Sequence, residues 1–188
     1  GNYADYSITE TGYAQYQVVD NQGTDGTDTL SNIETLRFAD QNFDITPSGQ
    51  SIQGDDSDNS LEGSITDDFI YGHGGNDTLK GLEGDDQIYG GDGDDTIEGG
   101  IGDDTLYGGN GKDNIKGSEG IDIIYGGDGD DSLKDSGIST IYGGPGNDYF
   151  SRRGDGISPY GLEVYGEDGD DYFYYLSQLK ILEAGDGN

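Results

Sequence analysis

Single aliphatic residues recur every nine positions through the middle of the chain, separated by polar residues and glycine. From Gly54 to Lys134 the sequence divides into nonapeptides without an insertion, and the eighth residue of each is Leu or Ile. Because neighbouring side chains of a strand face opposite sides, positions seven to nine predict a three-residue strand with only its middle residue facing inward. These core positions are Leu61, Ile70, Leu79, Ile88, Ile97, Leu106, Ile115, Ile124 and Leu133.

The first six positions of the nonapeptides are rich in glycine, with up to three in one unit. Glycine reaches backbone angles that other residues avoid, so these positions predict a tight loop. Two units make one coil of 18 residues, and successive coils stack at roughly 4.8 Å. The pattern Gly-Gly-x-Gly-x-Asp-x-U-x, with U a large aliphatic residue, is a known calcium-binding β-helix repeat. We therefore predict an all-β fold, a right-handed parallel β-roll (β-solenoid) over residues 50–188.

The repeat becomes irregular after Lys134. A shortened unit runs from Asp135 to Tyr142 and has lost the sixth-position Asp of the other loops, and GGPGNDYFS follows from Gly143. An insertion, Arg152 to Gly161, precedes GEDGDDYFY. The sequence stops inside a repeat, so we expect it to be a fragment of a longer protein.

Residues 1–49 have a different pattern. Partial alternation of β-branched and aromatic residues predicts short strands, at Tyr3–Thr9, Tyr13–Val19 and Ile33–Phe38. The stretch Gly23–Thr29 predicts a polar loop, and Pro47-Ser48-Gly49 a boundary. We expect a small β-strand unit that caps the end of the roll, where an open strand edge would otherwise be exposed.

Composition narrows the classes of partner. The chain carries 40 acidic and 8 basic residues, a formal charge of −32, which disfavours nucleic acid and anionic membranes. Hydrophobic residues make up only 29%, so the core is thin, and cysteine is absent, so no disulfide replaces it. No apolar run is long enough to span a membrane. A multivalent cation is the partner that this charge favours.

The sixth position of the repeat supplies the carboxylates for such a cation. Ca²⁺ takes six to eight oxygen ligands, mainly carboxylates and backbone carbonyls. Loops 18 residues apart share an edge, which gives two rows of carboxylates. The Asp77 file comprises Asp77, Asp95, Asp113, Asp131, Asp148 and Asp171, and the Asp68 file comprises Asp68, Asp86, Asp104 and Asp122. Neighbours about 5 Å apart repel by about 1 kcal/mol even in water, so we expect the metal-free roll to be expanded or unfolded.

The repeats from about Gly54 to Tyr174 resemble the RTX (repeat-in-toxin) family of secreted bacterial proteins. The resemblance implies one Ca²⁺ between consecutive loops of an edge. Its ligands would be carbonyls two and four and the Asp of one loop, with carbonyls one and three and the Asp of the next coil. On the Asp77 file these sets are His73, Gly75, Asp77, Gly90, Asp92 and Asp95; Gly91, Gly93, Asp95, Gly108, Asn110 and Asp113; Gly109, Gly111, Asp113, Gly126, Asp128 and Asp131; and Gly127, Gly129, Asp131, Gly143, Pro145 and Asp148. On the Asp68 file they include Asp68, Gly81, Glu83 and Asp86; Leu82, Gly84, Asp86, Gly99, Ile101 and Asp104; and Gly100, Gly102, Asp104, Gly117, Glu119 and Asp122.

Counting the gaps in each file predicts about eight calcium ions, five on the Asp77 file and three on the Asp68 file. Asn59 and Asp77 would frame a weaker ninth site. Ser57 and Thr66 replace the fourth-position Gly of their loops, and the insertion interrupts the Asp148–Asp171 site. These departures weaken the prediction locally.

Tyrosine occupies the ninth position on one face of the predicted roll, at Tyr71, Tyr89, Tyr107, Tyr125, Tyr142 and Tyr165. Such a ladder either stiffens the sheet by stacking between coils, which we favour, or binds a polysaccharide or a protein. The other face alternates Glu and Lys, which indicates exposed ion pairs of small energetic value.

Motifs for other chemistry are weak. Arg153-Gly154-Asp155 spells an adhesion tripeptide, but a three-residue match means little in a chain rich in Gly and Asp. His73 is the only histidine, and paired carboxylates recur in nearly every loop, as ligation requires and catalysis at one site does not. Neither HExxH nor GxSxG occurs.

The leading hypothesis is a noncatalytic calcium-binding module of a secreted or cell-surface bacterial protein. The RTX resemblance implies export through a type I secretion channel as an unfolded chain, with folding triggered by external calcium. Two alternatives stay open. One is an adhesin-like module whose tyrosine face or insertion binds a polysaccharide or a host protein. The other is an accessory repeat region of a secreted enzyme such as a protease, lipase or alginate epimerase.

Overall fold

The computed structural model describes residues 49–137, 139–151 and 162–174 with their side chains, and the backbone of Arg152 and of six further strands. Those strands cover residues 6–12, 15–20, 27–31, 35–37, 42–44 and 181–183. The chain divides into two compact units, Gly1–Ser48 and Gly49–Asn188. Arg153-Gly154-Asp155 lies outside the described residues.

The first unit is built from antiparallel strands. These are β1 (Tyr6–Gly12), β2 (Gln15–Asp20), β3 (Thr27–Ser31), β4 (Thr35–Arg37) and β5 (Asn42–Asp44). The first three form a sheet in sequence order, and β4 pairs with β5. The predicted polar loop is wrong at its end, because Thr27 and Thr29 pair with β2 in a ladder that favours β-branched residues. The capping role of this unit stays a prediction.

The second unit is a stack of parallel strands. The strands are β6 (Ser51–Gln53), β7 (Ser60–Glu62), β8 (Phe69–Gly74), β9 (Thr78–Glu83), β10 (Gln87–Asp92), β11 (Thr96–Ile101), β12 (Thr105–Asn110), β13 (Asn114–Glu119), β14 (Ile123–Asp128), β15 (Ser132–Asp135), β16 (Thr140–Tyr142), β17 (Tyr149–Arg152), β18 (Glu163–Tyr165), β19 (Tyr172–Tyr174) and β20 (Ile181–Glu183). The even-numbered strands form one sheet of eight, and the odd-numbered strands β7 to β19 form another of seven.

Each strand pairs with the one a full coil away, so that Ile88 lies beside Ile70 on one side and Leu106 on the other. Consecutive strands therefore alternate between the two sheets, which is the predicted parallel β-solenoid. The described parts of the chain contain no helix, and hence no helix long and apolar enough to cross a membrane.

The strands of the regular region are longer than predicted. From β8 to β14 each has six residues, because pairing continues through the first three loop positions, as between Gly91 and Gly109 and between Asp92 and Asn110. Strands of three residues occur where the repeat is less regular, at β6, β7, β16, β18, β19 and β20. Most of each loop thus runs parallel to its neighbours in adjacent coils.

Each strand from β6 to β19 contributes a single side chain to the core. From Ile70 to Leu133 the predicted core residues are 0–1% exposed, whereas Leu61, in the first unit of the repeat, is only partly buried. Phe150 and Phe173 continue the core beyond the regular repeats, with ring centroids 4.8 Å apart. So thin a core leaves the loops as the second place where the coils must be held together.

The two faces also match the sequence pattern. Six tyrosine rings stack from Tyr71 to Tyr165, with successive centroids 4.6–5.0 Å apart and interplanar angles of 3–11°. On the other face Lys116 pairs with Glu98, and the Lys80 Nζ lies 3.8 Å from a Glu62 carboxylate oxygen. Stacking of tyrosines between coils is confirmed.

Candidate metal centre

The loop backbone is left-handed at its second and fourth positions. In one loop Gly91 has φ 116° and Gly93 has φ 129°. Their carbonyl oxygens face the next coil, since a Cβ placed on Gly109 would lie 2.1 Å from the Gly91 oxygen and one on Gly111 2.2 Å from the Gly93 oxygen. The loops therefore line up carbonyl oxygens along each edge.

The first loop position must be glycine because the aspartate of the same loop occupies the adjacent space. A Cβ on Gly90 would lie 2.3 Å from Asp95 Oδ2 and 2.5 Å from the carbonyl oxygen of Gly108 in the next coil. The same arrangement recurs at Gly81 and Gly126. A carboxylate oxygen and a carbonyl oxygen from successive coils thus converge beside each first-position glycine.

One oxygen of each loop carboxylate has a defined partner. Asp95 Oδ1 accepts the backbone N–H of Asp77 at 2.8 Å, and Asp113 Oδ1 accepts that of Asp95 at 2.8 Å. Equivalent bonds link the rest of both files at 2.7–3.0 Å. One of them joins Asp148 to Asp171 at 2.9 Å across the insertion. The structure therefore assembles the Asp77 and Asp68 files.

The other carboxylate oxygen is buried and has no hydrogen-bond partner in most of the loops. This holds for Oδ2 of Asp77, Asp86, Asp95, Asp104, Asp113, Asp122, Asp131, Asp148 and Asp171. All of these aspartates except Asp171 are only 0–2% exposed. A buried carboxylate without compensation is strongly unfavourable, so these oxygens suit a bound cation.

Burial changes the ionisation of these carboxyl groups. Desolvation raises the pKa of Asp86, Asp113, Asp122 and Asp148 to about 7. It raises the pKa of Asp95, Asp104 and Asp131 to about 6. Neighbouring carboxylates of the same file add to the increase, for instance Asp95 and Asp131 at Asp113, while the backbone N–H bonds oppose it. The metal-free files thus favour protons where a divalent cation would favour the charged form.

Both files end differently at their N-terminal side. Asp68 Oδ2 accepts hydrogen bonds from the Ser64 backbone N–H at 2.6 Å and the Ser64 hydroxyl at 2.7 Å. Asn59 Oδ1 accepts the backbone N–H of Asp55 at 2.7 Å. In Asp68, the first member of its file, and in Asn59, one coil before Asp77, these oxygens are satisfied within their own loops, so they offer a cation less than the later aspartates do.

The predicted carbonyl ligands lie on the same edges as the carboxylates. The fourth-position amide of Gly93 donates to the third-position carbonyl of Asn110 at 2.8 Å, which leaves that oxygen a second lone pair. The His73 carbonyl oxygen faces the next coil, since a Cβ on Gly91 would lie 2.0 Å from it. The His73 ring is on the surface and bonds Gln53 Oε1 at 2.9 Å.

The repeat pattern does not identify two residues of the shortened unit, Ser139 and Asp135, as part of this edge. Ser139 stands where other loops have Asp, and its hydroxyl accepts the backbone N–H of Asp122 at 2.9 Å. Asp135 is 3% exposed, and its Oδ1 is unpartnered. An acidic residue at a position otherwise held by glycine is the signal that could have pointed to Asp135.

Side chains alone do not complete a metal site. No group of three or more His, Cys, Asp and Glu residues suited to a metal ion occurs among the residues that the structure describes. Each gap between loops instead pairs two aspartates with rows of backbone carbonyls. Hard oxygen ligands of this kind suit Ca²⁺ better than transition metals.

Comparison with protein families identifies the repeat. The family model for the RTX calcium-binding nonapeptide repeat (4 copies) matches residues 49–79, 71–106, 107–134, 135–154 and 163–177, which is more than half of the chain. No curated protein matches the chain.

Proposed function

Since the chain belongs to the family of RTX calcium-binding nonapeptide repeats, we propose that its loops hold about eight Ca²⁺ ions and that the roll folds when they bind. The observation that carries this proposal is the row of buried, unpartnered Oδ2 atoms along both files. Calcium accepts carboxylate and carbonyl oxygens in flexible geometry. It would compensate these charges, which form no ion pair with a Lys or Arg side chain among the residues that the structure describes.

Calcium binding and folding would be coupled because the sites exist only in the stacked coils. Each proposed ion joins oxygens from two coils, and the unfolded chain does not hold those coils together. The binding free energy is then largely folding free energy. Low cytosolic calcium would leave the −32 chain unfolded. Higher external calcium would close the roll after export through a type I channel to the bacterial surface or medium.

The coupling is tested by circular dichroism during a calcium titration, with isothermal titration calorimetry for the stoichiometry. We expect little β signal in calcium-free buffer, a cooperative rise on adding Ca²⁺, and about eight ions bound. Mg²⁺ should substitute poorly, because it demands a tighter octahedral shell. A full β signal in excess chelator at neutral pH would contradict the coupling.

Asp95 offers a sharper test, because its carboxylate borders two proposed sites. In Asp95→Asn the amide oxygen can still accept the Asp77 N–H, while the charge at the unpartnered position is lost. We expect at least one ion fewer and a higher calcium requirement for folding.

Asp94→Asn is the matched control for this variant. It makes the same chemical change one residue away, at an exposed side chain whose Oδ1 accepts the Lys112 N–H at 2.9 Å. Its calcium stoichiometry should equal that of the unaltered chain. Equal losses in the two variants would indicate a general charge effect and would contradict ligation by the files.

The tyrosine face is better suited to holding coils together than to binding a sugar. A sugar stacks on an exposed aromatic face, but from Tyr89 to Tyr142 the rings cover one another at about the spacing of the coils. Ring edges are what such a stack presents to solvent. In this proposal the module is noncatalytic, and any substrate or host belongs to the parent protein.

A further inference from the structure

The shortened unit interrupts the Asp68 file. In the preceding coil the backbone N–H of Asp104 bonds Asp122 Oδ1 at 3.0 Å, and in the next coil the N–H of Asp122 bonds the Ser139 hydroxyl instead. Ser139 is fully buried. Since a hydroxyl takes the place of a carboxylate, the repeat rule ends this file at Asp122.

A second carboxylate enters the same space from a position that is otherwise glycine. In other loops a first-position Cβ would lie 2.1–2.6 Å from the aspartate or asparagine side chain of its own loop, as at Gly63 and Gly81. The shortened loop carries the smaller Ser139 there, which leaves room for the side chain of Asp135. The loss of one carboxylate and the gain of the other are therefore sterically linked.

Asp135 Oδ1 takes the place that a carbonyl oxygen holds in other coils. A Cβ on Gly117 would lie 2.2 Å from Asp122 Oδ2 and 2.7 Å from Asp135 Oδ1. At the equivalent Gly99 the corresponding atoms are Asp104 Oδ2 at 2.2 Å and the Gly117 carbonyl oxygen at 2.9 Å. Asp122 and Asp135 thus converge on one point from two coils.

Both converging oxygens lack a partner. Asp122 is 0% exposed and Asp135 3%, and neither Asp122 Oδ2 nor Asp135 Oδ1 accepts a hydrogen bond from an N–H or hydroxyl group of the described residues; the two carboxylates face each other. Among the described residues neither carboxylate forms an ion pair with a Lys or Arg side chain. No described Lys or Arg side chain thus compensates the charge on this pair, and a cation from solution would do so.

The surrounding loop has the geometry of the other sites. Ser118 and Gly120 hold the left-handed second and fourth positions, with φ 97° and 140°. The Ser136 hydroxyl donates to the Ser118 carbonyl, and the Gly137 amide donates to Asp135 Oδ2 at 2.7 Å, which fixes the carboxylate in place. Carbonyl oxygens and two carboxylates are thus assembled at the break.

We propose that Asp122 and Asp135 bind one further Ca²⁺ ion at this break, with Asp135 supplying the carboxylate that the shortened loop lacks. The inference rests on the proposed calcium binding of the regular loops. It extends the Asp68 file by one site, one coil beyond the point where the repeat rule stops. The irregular part of the roll would then be tied to the regular part by an ion on each edge.

The test is the calcium stoichiometry of the full chain by native mass spectrometry, compared with Asp135→Asn. We expect one ion fewer in the variant. Asp103→Asn is the control, because Asp103 is an exposed loop aspartate outside the proposed ligand sets, whose Oδ1 accepts the Ile121 N–H at 2.8 Å, and it should bind as many ions as the unaltered chain. Unchanged stoichiometry in Asp135→Asn overturns this site and leaves the proposed function standing. A chain that binds no calcium at all overturns the proposed function itself.

A second pair of variants keeps the test independent of folding defects in the first. Asp135→Gly installs the residue that the other regular loops carry, and it should also lose one ion. Adding Ser139→Asp restores a carboxylate beside the Asp122 N–H, and the double variant should regain the ion. Circular dichroism at saturating calcium verifies the fold of each. An ion retained in Asp135→Gly overturns the site.

Discussion

Among the described residues, four with a Cβ are held in the left-handed region by their place in the loop. His73, Leu82, Ser118 and Glu167 have φ between 69° and 97°, and each occupies the second loop position, where other units carry glycine. For an L-residue this conformation costs about 1–2 kcal/mol. The stacked coils impose the angle, so each of these residues weakens the roll slightly.

Replacing Leu82 by glycine should therefore give a more stable calcium-loaded roll than replacing it by alanine. Leu82 is 38% exposed, both variants lose the same apolar group, and relief of the backbone should make the free energy of unfolding about 1 kcal/mol larger for glycine. Denaturant unfolding at saturating calcium measures the difference. Leu82→Ala keeps the Cβ and with it the unfavourable backbone angle. Equal free energies of unfolding in the two variants would show that the backbone angle is not unfavourable.

At the scale of the strands, stability comes from contacts repeated between coils. A strand of the even sheet contributes one buried aliphatic residue and, on the outside, one tyrosine. Tyr107 stacks on Tyr89 at 4.6 Å and on Tyr125 at 4.9 Å, whereas Tyr71 stacks on a single tyrosine, Tyr89. A ring in the middle of the ladder therefore makes twice the tyrosine contacts of the ring at its N-terminal end.

Tyr107→Ser should lower the free energy of unfolding more than Tyr71→Ser does. Each stacked pair is worth about 0.5–1.5 kcal/mol beyond its buried area, so the difference should be about 1 kcal/mol. Denaturation midpoints at saturating calcium provide the measurement. Equal losses would mean that the rings act through burial alone. A loss of calcium ions in Tyr107→Ser would show that the face and the loops are not independent.

At the scale of the whole molecule, the proposed function makes folding depend on the negative charge of the chain and on what neutralises it. The chain has a net charge of −32 and a core one residue wide, and its loops bury a carboxylate in nearly every unit. Hydrophobic burial at about 25 cal/mol per Å² is small for such a core. Under the proposed coupling, neutralising the files, whether by calcium or by protons, is therefore the step on which folding depends.

Acid should partly replace calcium. Burial raises the pKa of seven file aspartates to about 6 or 7 in the folded chain. Between about pH 4 and pH 7 the folded metal-free chain then holds more protons than the unfolded chain, so its free energy of unfolding falls as the pH rises through this window. In calcium-free buffer the β signal should be larger at about pH 5 than at about pH 7.5.

Salt provides the control for the acid experiment. Raising the concentration of KCl at neutral pH screens the general repulsion of the chain without protonating the files. It should restore much less β signal than acid does. A similar recovery in salt would indicate that net charge matters and that the buried carboxylates do not. Protons should also compete with calcium, so more Ca²⁺ should be needed for saturation at about pH 5.

The sequence by itself determined the period, the parallel solenoid, the core residues and the order of both carboxylate files. It could do so because each coil repeats the last, so that residues 18 apart meet as Ile88 meets Leu106. Only the tertiary structure decided what happens where the repeat fails. Ser64 satisfies Asp68, Ser139 replaces a loop aspartate, and Asp135 moves into the space left free. Where a residue departs from the repeat, the side chains of adjacent coils rearrange around it. Their new positions depend on packing and steric contacts, which the repeat pattern does not encode.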